Sequence, residues 1–582
     1  MTDQTSSETG RAGDPDRTND AATSLAALAD EAWNSQLAAR PVAATALGDR
    51  RFDAHLRANG HDALEADRER LDTFRRRAMA IDRAGLLAGD RVTHAALLDF
   101  LQAELDLVES GVAGWAVDPL DGPQVQFLNI PSFQPVASTA DGEALVGRWR
   151  EMGPSIDRLV ETSRSALGRG VAAPQALVRS VLIELDDLLA RPVDTWPLLD
   201  PVRDTPDDWP PATRERYATD VAGAVENGVR PAFARYRSFL ADELRPVARD
   251  DDRPGLCALP SGDEAYARLV RANTTLGLSP DEIHRIGLEE TDRIDAEFRE
   301  LGGRLLGTGD QPAILARLRS DLTLQFATSA EVLAVAQGSL ARANAAIAAW
   351  FGRLPKAPCV VVEIGQHEAR YSTIAYYREP AADGSRPGSY YINTTEPETR
   401  PRYEAETLAF HEAVPGHHLQ IAIAQELDEL PAFRRFAGPT AYIEGWGLYS
   451  ERLSEEMGLL SGDLDRFGIL SFDAWRASRL VVDTGLHALG WSRAAAIRFM
   501  TEHTALAPNN IANEVDRYLA IPGQALAYKL GQREILALRD QARAALGDRF
   551  DIRAFHDVVL GQGAVGLATL RGVVETWIAG QR

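Results

Sequence analysis

The sequence is poor in cysteine, lysine and long apolar runs, and each shortage removes a class of protein. Of its 582 residues only two are cysteines, Cys257 and Cys359, both outside any CxxC or Cys/His cluster. That pattern excludes a disulfide framework and a cysteine-based zinc site. Lysine occurs only as Lys356 and Lys529, so arginine carries nearly all the basic charge, a mark of genomic bias more than of function. Lys and Arg number 62 against 85 Asp and Glu, a net charge of −23 with a pI near 5.0. So acidic a chain is expected to bind neither nucleic acid nor an anionic membrane. No stretch approaches the ~18 consecutive apolar residues that span a bilayer. Residues 1–20 are polar and acidic without an apolar h-region. They read as a disordered tail rather than a signal peptide, and the default location is a reducing cytoplasm. Also missing are a GxSxG elbow, a GxxxxGK[ST] loop and a Gly-rich dinucleotide fingerprint, which leaves serine-hydrolase and nucleotide-binding readings without support.

What is present is the composition of a globular protein, 45% hydrophobic and 25% charged with mean hydropathy −0.22. Its length allows more than one domain-sized unit. Over 21–355 the pattern is helical: segments such as 22–38, 94–110, 176–190 and 217–244 repeat Ala and Leu every three or four positions. Ser279-Pro280-Asp281-Glu282 is a helix start, with an N-cap Ser, a Pro in the first turn and a Glu three residues after the cap. Glu289 and Glu290 in that helix read as a solvated face. Between 355 and 395 the period changes, with β-branched and aromatic runs at 359–364 and 389–395. These predict a strand pair, either a plain hairpin or a small sheet whose edge takes an extended peptide. The expected fold is mainly α, with a helical region over 21–355 and a catalytic region over 356–582. One small sheet within 356–400 lies next to the active-site helix, and a cleft separates the two regions.

The chain has 11 histidines, and three of them fall within His411-Glu412-Ala413-Val414-Pro415-Gly416-His417-His418. Imidazole is the commonest side-chain metal ligand, and a Glu directly after the first His is similar to the zinc-peptidase motif HExxH. In HExxH the two histidines stand one helical turn apart. Here an undistorted helix would rotate His417 about 240° from His411 and carry His418 about 10.5 Å along the axis. Pro415 and Gly416 forbid an undistorted helix, because the proline lacks an N–H and its ring clashes with the carbonyl of His411. Looping out the extra residues restores an HExxH-like pair of His411 and His417, with His418 as the alternative ligand. Apart from His487, the other histidines, His55, His61, His94, His284, His367, His503 and His556, stand alone.

A catalytic zinc site takes three protein ligands and leaves one position open. Tyr442-Ile443-Glu444-Gly445-Trp446-Gly447 offers the third in Glu444, whose small and apolar neighbours make an unpaired carboxylate costly. Glu451 lies two turns further on the same face and is placed to support a metal-bound histidine. Asp483 and His487, four apart on one helix, form either a second supporting pair or an ordinary ion pair. Arg476 and Arg479 precede them and offer a grip for a substrate carboxylate.

The stretches 410–420 (FHEAVPGHHLQ) and 442–449 (YIEGWGLY) resemble the bacterial family known as domain of unknown function 885. So do 481–491, 521–531 and the helix start at 279–287, so that the likeness covers most of the chain from about residue 25. That family is similar to the gluzincin zinc metallopeptidases, including thimet-oligopeptidase-like and Taq-carboxypeptidase-like helical enzymes. The resemblance implies a zincin-like helical architecture and Zn2+ held by two His and one Glu, with Glu412 as general base. Thimet-type enzymes present a late tyrosine to the tetrahedral intermediate, and Tyr528 is the preferred counterpart here, with Lys529 and Tyr518 nearby. The resulting expectation is a zinc-dependent hydrolase cleaving a peptide or other small amide. The alternatives are a metal-dependent enzyme on a non-peptide substrate and a catalytically silent helical binding protein with a structural metal.

Overall fold

A computed structural model describes residues 15–365, 374–381, 384 and 386–581. Helices dominate, and they begin earlier than expected: the first spans Pro15–Ala39, so positions 15–20 of the expected tail are helical. Positions 1–14, and His367 in the 366–373 segment, lie outside the described residues. The segment read as one helix over 217–244 follows Pro211–Ala224 through two wider turns, Val225–Val229 and Phe239–Leu244, on either side of Arg230–Ser238. The first of these relaxes the backbone just ahead of Pro231, where the i−4 bond is lost.

The strand pair is present but is no hairpin. Strands β1 (Cys359–Glu363), β2 (Ala375–Arg378) and β3 (Gly388–Ile392) form one sheet in the order β1-β3-β2. β1 runs parallel to β3, with Cys359 opposite Gly388, and β2 runs antiparallel to β3, with Ala375 opposite Ile392. A parallel neighbour requires a crossover, and the chain between β1 and β3 makes it by way of β2.

Seven helices carry the rest of the account: α1 (Pro280–Leu305), α2 (Arg402–Glu412), α3 (His417–Gln425), α4 (Thr440–Glu456), α5 (Arg466–His487), α6 (Pro508–Ala520) and α7 (Leu526–Leu546). The capping box read at Ser279 closes as expected, the Glu282 carboxylate accepting from the Ser279 N–H at 2.8 Å. α4 and α7 cross where Gly445 meets Gly531. A Cβ on Gly445 would lie 2.5 Å from the Gly531 Cα, so only glycine permits this approach. The two largest cores draw residues from both sides of position 355. One joins Leu25, Leu97 and Leu340 to Phe410, Trp446 and Leu538, and the other joins Trp149 and Phe233 to Val482 and Tyr518. The change at 355 is thus one of sequence pattern and not of core.

Glu290 does not lie on a solvated face. It is 8% exposed and pairs with Arg293 at 2.7 Å and with Arg533. It borders a buried cluster in which Asp473 meets Lys529, Arg452 at 2.5 Å and Arg293 at 3.2 Å. The cluster ties α1, α4, α5 and α7 together. Asp473→Ala removes the carboxylate that Lys529, Arg452 and Arg293 share, leaves them only Glu290 and Glu297, and is expected to cost about 3–5 kcal/mol of stability in denaturant titrations. A loss below about 1 kcal/mol would mean that water solvates the cluster.

Candidate metal centre

α2 ends at Glu412, directly after His411. Residues 413–416 leave helical geometry, with Ala413 at ψ −107° and Gly416 at ψ −129°, and α3 starts at His417. The loop is held from both ends: the His418 N–H donates to the Ala413 carbonyl at 3.1 Å, and Trp446 of α4 donates its indole N–H to Pro415 at 2.9 Å. At Gly416 a side chain would strike the carbonyls of Phe410 and His411, so glycine is required by contact. The looped-out residues return His417 to the His411 face, with ring centroids 4.6 Å apart and planes at 85°.

α4 supplies the third group. Glu444 Oε2 lies 3.6 Å from His411 Nε2 and 3.5 Å from His417 Nε2. Atoms about 2.0–2.2 Å from one tetrahedral zinc stand about 3.3 Å apart, so these three fit an ion with little adjustment. His411 and His417 are 3% and 8% exposed, and the Glu444 side chain 20%, which leaves the centre open on the carboxylate side. Gly447 of α4 sits under the His411 ring, where a Cβ would lie 2.7 Å from Cε1. Glu451 accepts from His411 Nδ1 at 2.7 Å and is fully buried. That bond fixes the tautomer that turns the Nε2 lone pair towards the centre.

His418 turns away. Its Nδ1 is 3.0 Å from the Tyr377 hydroxyl on β2 and its Nε2 is 3.1 Å from the Ala357 carbonyl, so both ring nitrogens are occupied. Burial pushes it down to about 4, against the Ala357 carbonyl. It clamps the sheet to α3 and lies outside the cluster of His411, His417 and Glu444. Asp483 and His487 do not support the ligands and do not pair with each other. Asp483 accepts from the Tyr266 hydroxyl at 2.5 Å and the Gly523 N–H at 3.1 Å, and His487 reaches the Tyr518 carbonyl at 3.0 Å and the Leu256 N–H at 3.2 Å. Their four-residue spacing puts them on one face of α5, but that face looks onto the 256–266 segment and α6.

Glu412 is half-buried beside His411 and has no hydrogen-bond or ion-pair partner among the described residues. Its charge reaches Tyr390 of β3, whose hydroxyl is buried and unpartnered and is held well above the usual phenol range by burial and then by Glu412. In the sequence only its place in the β-branched run signals Tyr390. Tyr528 is 9% exposed, and its hydroxyl makes no hydrogen bond to a described residue. Lys529 is buried against Asp473, and the Tyr518 hydroxyl is spent on Glu514 at 2.7 Å, so neither faces a substrate. One cavity, of about 690 Å³, is lined by residues within 38–158, including Phe52, Arg57 and Arg158, away from His411 and His417.

Without a metal, protons hold the cluster together. Burial would lower His411, but the Glu444 and Glu451 carboxylates outweigh it and hold the imidazole up to about 9. Burial opposes ionisation of Glu444, yet the two imidazoles keep its carboxyl well below the usual range. The stabilisation from charged His411 is therefore full below about pH 6.5 and is lost as pH rises through about 9. A metal takes the same lone pair only after that proton leaves. Zinc titrated into apo protein near pH 7.5 is expected to release at least about one proton, and the His411 proton should vanish from the count above about pH 9. Calorimetry in buffers of different ionisation heat reads this directly, and zero release at pH 7.5 would mean that His411 is not a ligand.

A mostly helical scaffold thus brings two imidazoles and a carboxylate to one point beside a small mixed sheet, the make-up of a helical protein built round a candidate metal centre. The chain belongs to the family described as bacterial protein of unknown function (DUF885), whose pattern matches residues 41–574. Among solved structures it is similar to a "putative lipoprotein" from Colwellia psychrerythraea, 28% identical with a TM-score of 0.89, covering 96% of this chain and 99% of that one. A "putative lipoprotein of unknown function" from Shewanella oneidensis shares the fold at 16% identity and a TM-score of 0.75, covering 95% and 99%. No curated protein matches the chain. The description of the Colwellia relative speaks against the cytoplasmic location expected from the sequence, and that expectation falls. One described helical stretch, Ser329–Ala349, is long and apolar enough to cross a membrane, contrary to the sequence reading. It also places Val332, Ala336 and Leu340 in the core.

Proposed function

We propose that the protein is a zinc-dependent hydrolase of the gluzincin kind, cleaving a peptide or other amide bond. The observation that carries this reading is the convergence of His411, His417 and Glu444 with an unpaired carboxylate, Glu412, beside them. A structural site is closed by a fourth protein ligand and has no use for a free base. Among the described residues the ligand cluster has three members.

A zinc ion held by these three side chains would polarise the scissile carbonyl and bring the pKa of water towards about 7. Glu412 takes the proton of the attacking water as its oxygen bonds to the carbonyl carbon, and then delivers that proton to the leaving nitrogen as the C–N bond breaks. Products are a carboxylate and an amine. Tyr528, whose hydroxyl bonds no described residue, donates to the oxyanion that develops on the carbonyl oxygen. Glu451 keeps His411 in one orientation throughout.

The test is a peptide mixture digested by chelator-stripped protein before and after zinc is restored, with new termini read by mass spectrometry. Cleavage should vanish on stripping and return with about one zinc per chain. Fully loaded protein that cleaves no amide would point to a non-peptide substrate or a structural metal.

A further inference from the structure

Arg476 and Arg479 stand one turn apart on α5, 5% and 2% exposed, and three of their donor nitrogens have no partner: Arg476 Nε and Nη1, and Arg479 Nη1. Buried guanidinium nitrogens left unbonded are costly, so their presence calls for a ligand. Both planes are fixed by stacking. Arg476 lies 4.1 Å from the Trp475 ring, and Arg479 lies 4.6 Å from Trp475 and 4.4 Å from Tyr528. Trp475 beside them is partly exposed, and Tyr528 is 9% exposed.

Arg476, Arg479 and Arg517 face Glu451 at 3.9 Å and Glu514 at 2.9 and 4.0 Å, respectively. Two more carboxyls stand near them, Glu404 by Arg476 and Asp483 by Arg479 and Arg517; Glu404 bonds Ser471 at 2.6 Å, and burial pushes both up to about 7. A guanidinium is a planar forked donor, which takes a carboxylate through two parallel bonds. The group also adjoins the metal centre, since Glu451 is shared between Arg476 and His411 Nδ1.

We infer that Arg476 and Arg479 bind the free carboxylate at the C-terminal end of a peptide or N-acyl amino acid whose amide lies at the metal centre. The cleavage consequence, release of a carboxy-terminal residue, rests on the hydrolase reading above; the binding itself does not.

Two measurements on zinc-loaded full-length protein separate these claims. The first is calorimetric binding of a panel of N-acetyl amino acids and of their amides. The acids should bind wild type, the amides should bind at least about 100-fold more weakly, and Arg476→Gln should remove the preference. Arg476→Lys, which keeps the charge but loses the fork, should restore it only in part, and unchanged zinc content and circular dichroism would show both variants folded. Equal binding of acids and amides, no binding of any acid, or full acid binding by Arg476→Gln would overturn the carboxylate site. The second is cleavage of free-acid against C-terminally amidated peptides. Cleavage of the free acids alone, weakened about 100-fold in kcat/KM by Arg476→Gln, supports both readings. Equal cleavage of acids and amides overturns the carboxylate site alone, and acid-selective binding with no cleavage overturns the hydrolase reading alone.

Discussion

Glu412→Gln is expected to cut turnover by about 10²–10⁴-fold while zinc stays bound at one per chain. The amide keeps the shape of the carboxylate and removes its basicity, so a water beside the carbonyl has nowhere to send its proton. Glu412 makes no hydrogen bond or ion pair with a described residue, so the substitution breaks no internal contact and stability should be unchanged. Two outcomes oppose the assignment. Turnover retained within a few-fold would remove Glu412 as the base, and loss of zinc would make it a ligand in its own right.

The second large effect separates two adjacent histidines. His417→Ala and Glu444→Ala each remove a ligand atom and should weaken zinc binding by more than the about 100-fold typical of losing an outer partner. Glu451→Gln, which weakens only the support of His411, should fall within about 10–100-fold. His418→Ala should leave zinc affinity intact, because both His418 nitrogens are bonded away from the centre, to Tyr377 and Ala357. Its cost is stability, about 1–3 kcal/mol for buried partners left unbonded where α3 meets the sheet. Competition with a chromophoric chelator ranks the four variants. A His418→Ala protein that loses zinc while His417→Ala keeps it would reverse the assignment of the two rings.

Much of this centre is legible in the sequence because its donors are rare and close together. Three of 11 histidines in eight positions mark α2 and α3, and Pro415-Gly416 shows that the helix must open between them. The choice of His417 follows from which backbone atoms the loop touches, a matter of packing against Trp446 that spacing alone leaves open. Glu444 and Glu451 are readable because a carboxylate among Gly, Trp and Leu needs a partner, and two turns of helix repeat the face. Asp483 and His487 mislead for the complementary reason: helical spacing tells which residues share a face but not what that face meets. Glu290 misleads because its partners Lys529 and Arg533 lie more than two hundred positions away. β2 escapes notice because Ala375–Arg378 is four residues long and shows no alternation, its pairing being set by β3. The unfilled nitrogens of Arg476 and Arg479 are invisible in a chain so rich in arginine, since only geometry shows which guanidinium groups are already spoken for.

The most direct test of the central claim is anomalous diffraction at the zinc edge from crystals of the zinc-loaded protein. The expected result is one strong peak about 2.0–2.2 Å from His411 Nε2, His417 Nε2 and a Glu444 oxygen, with Glu412 turned towards its open side. A peak bound by His418, or no peak at the three side chains in protein that carries a full equivalent of zinc, would contradict it.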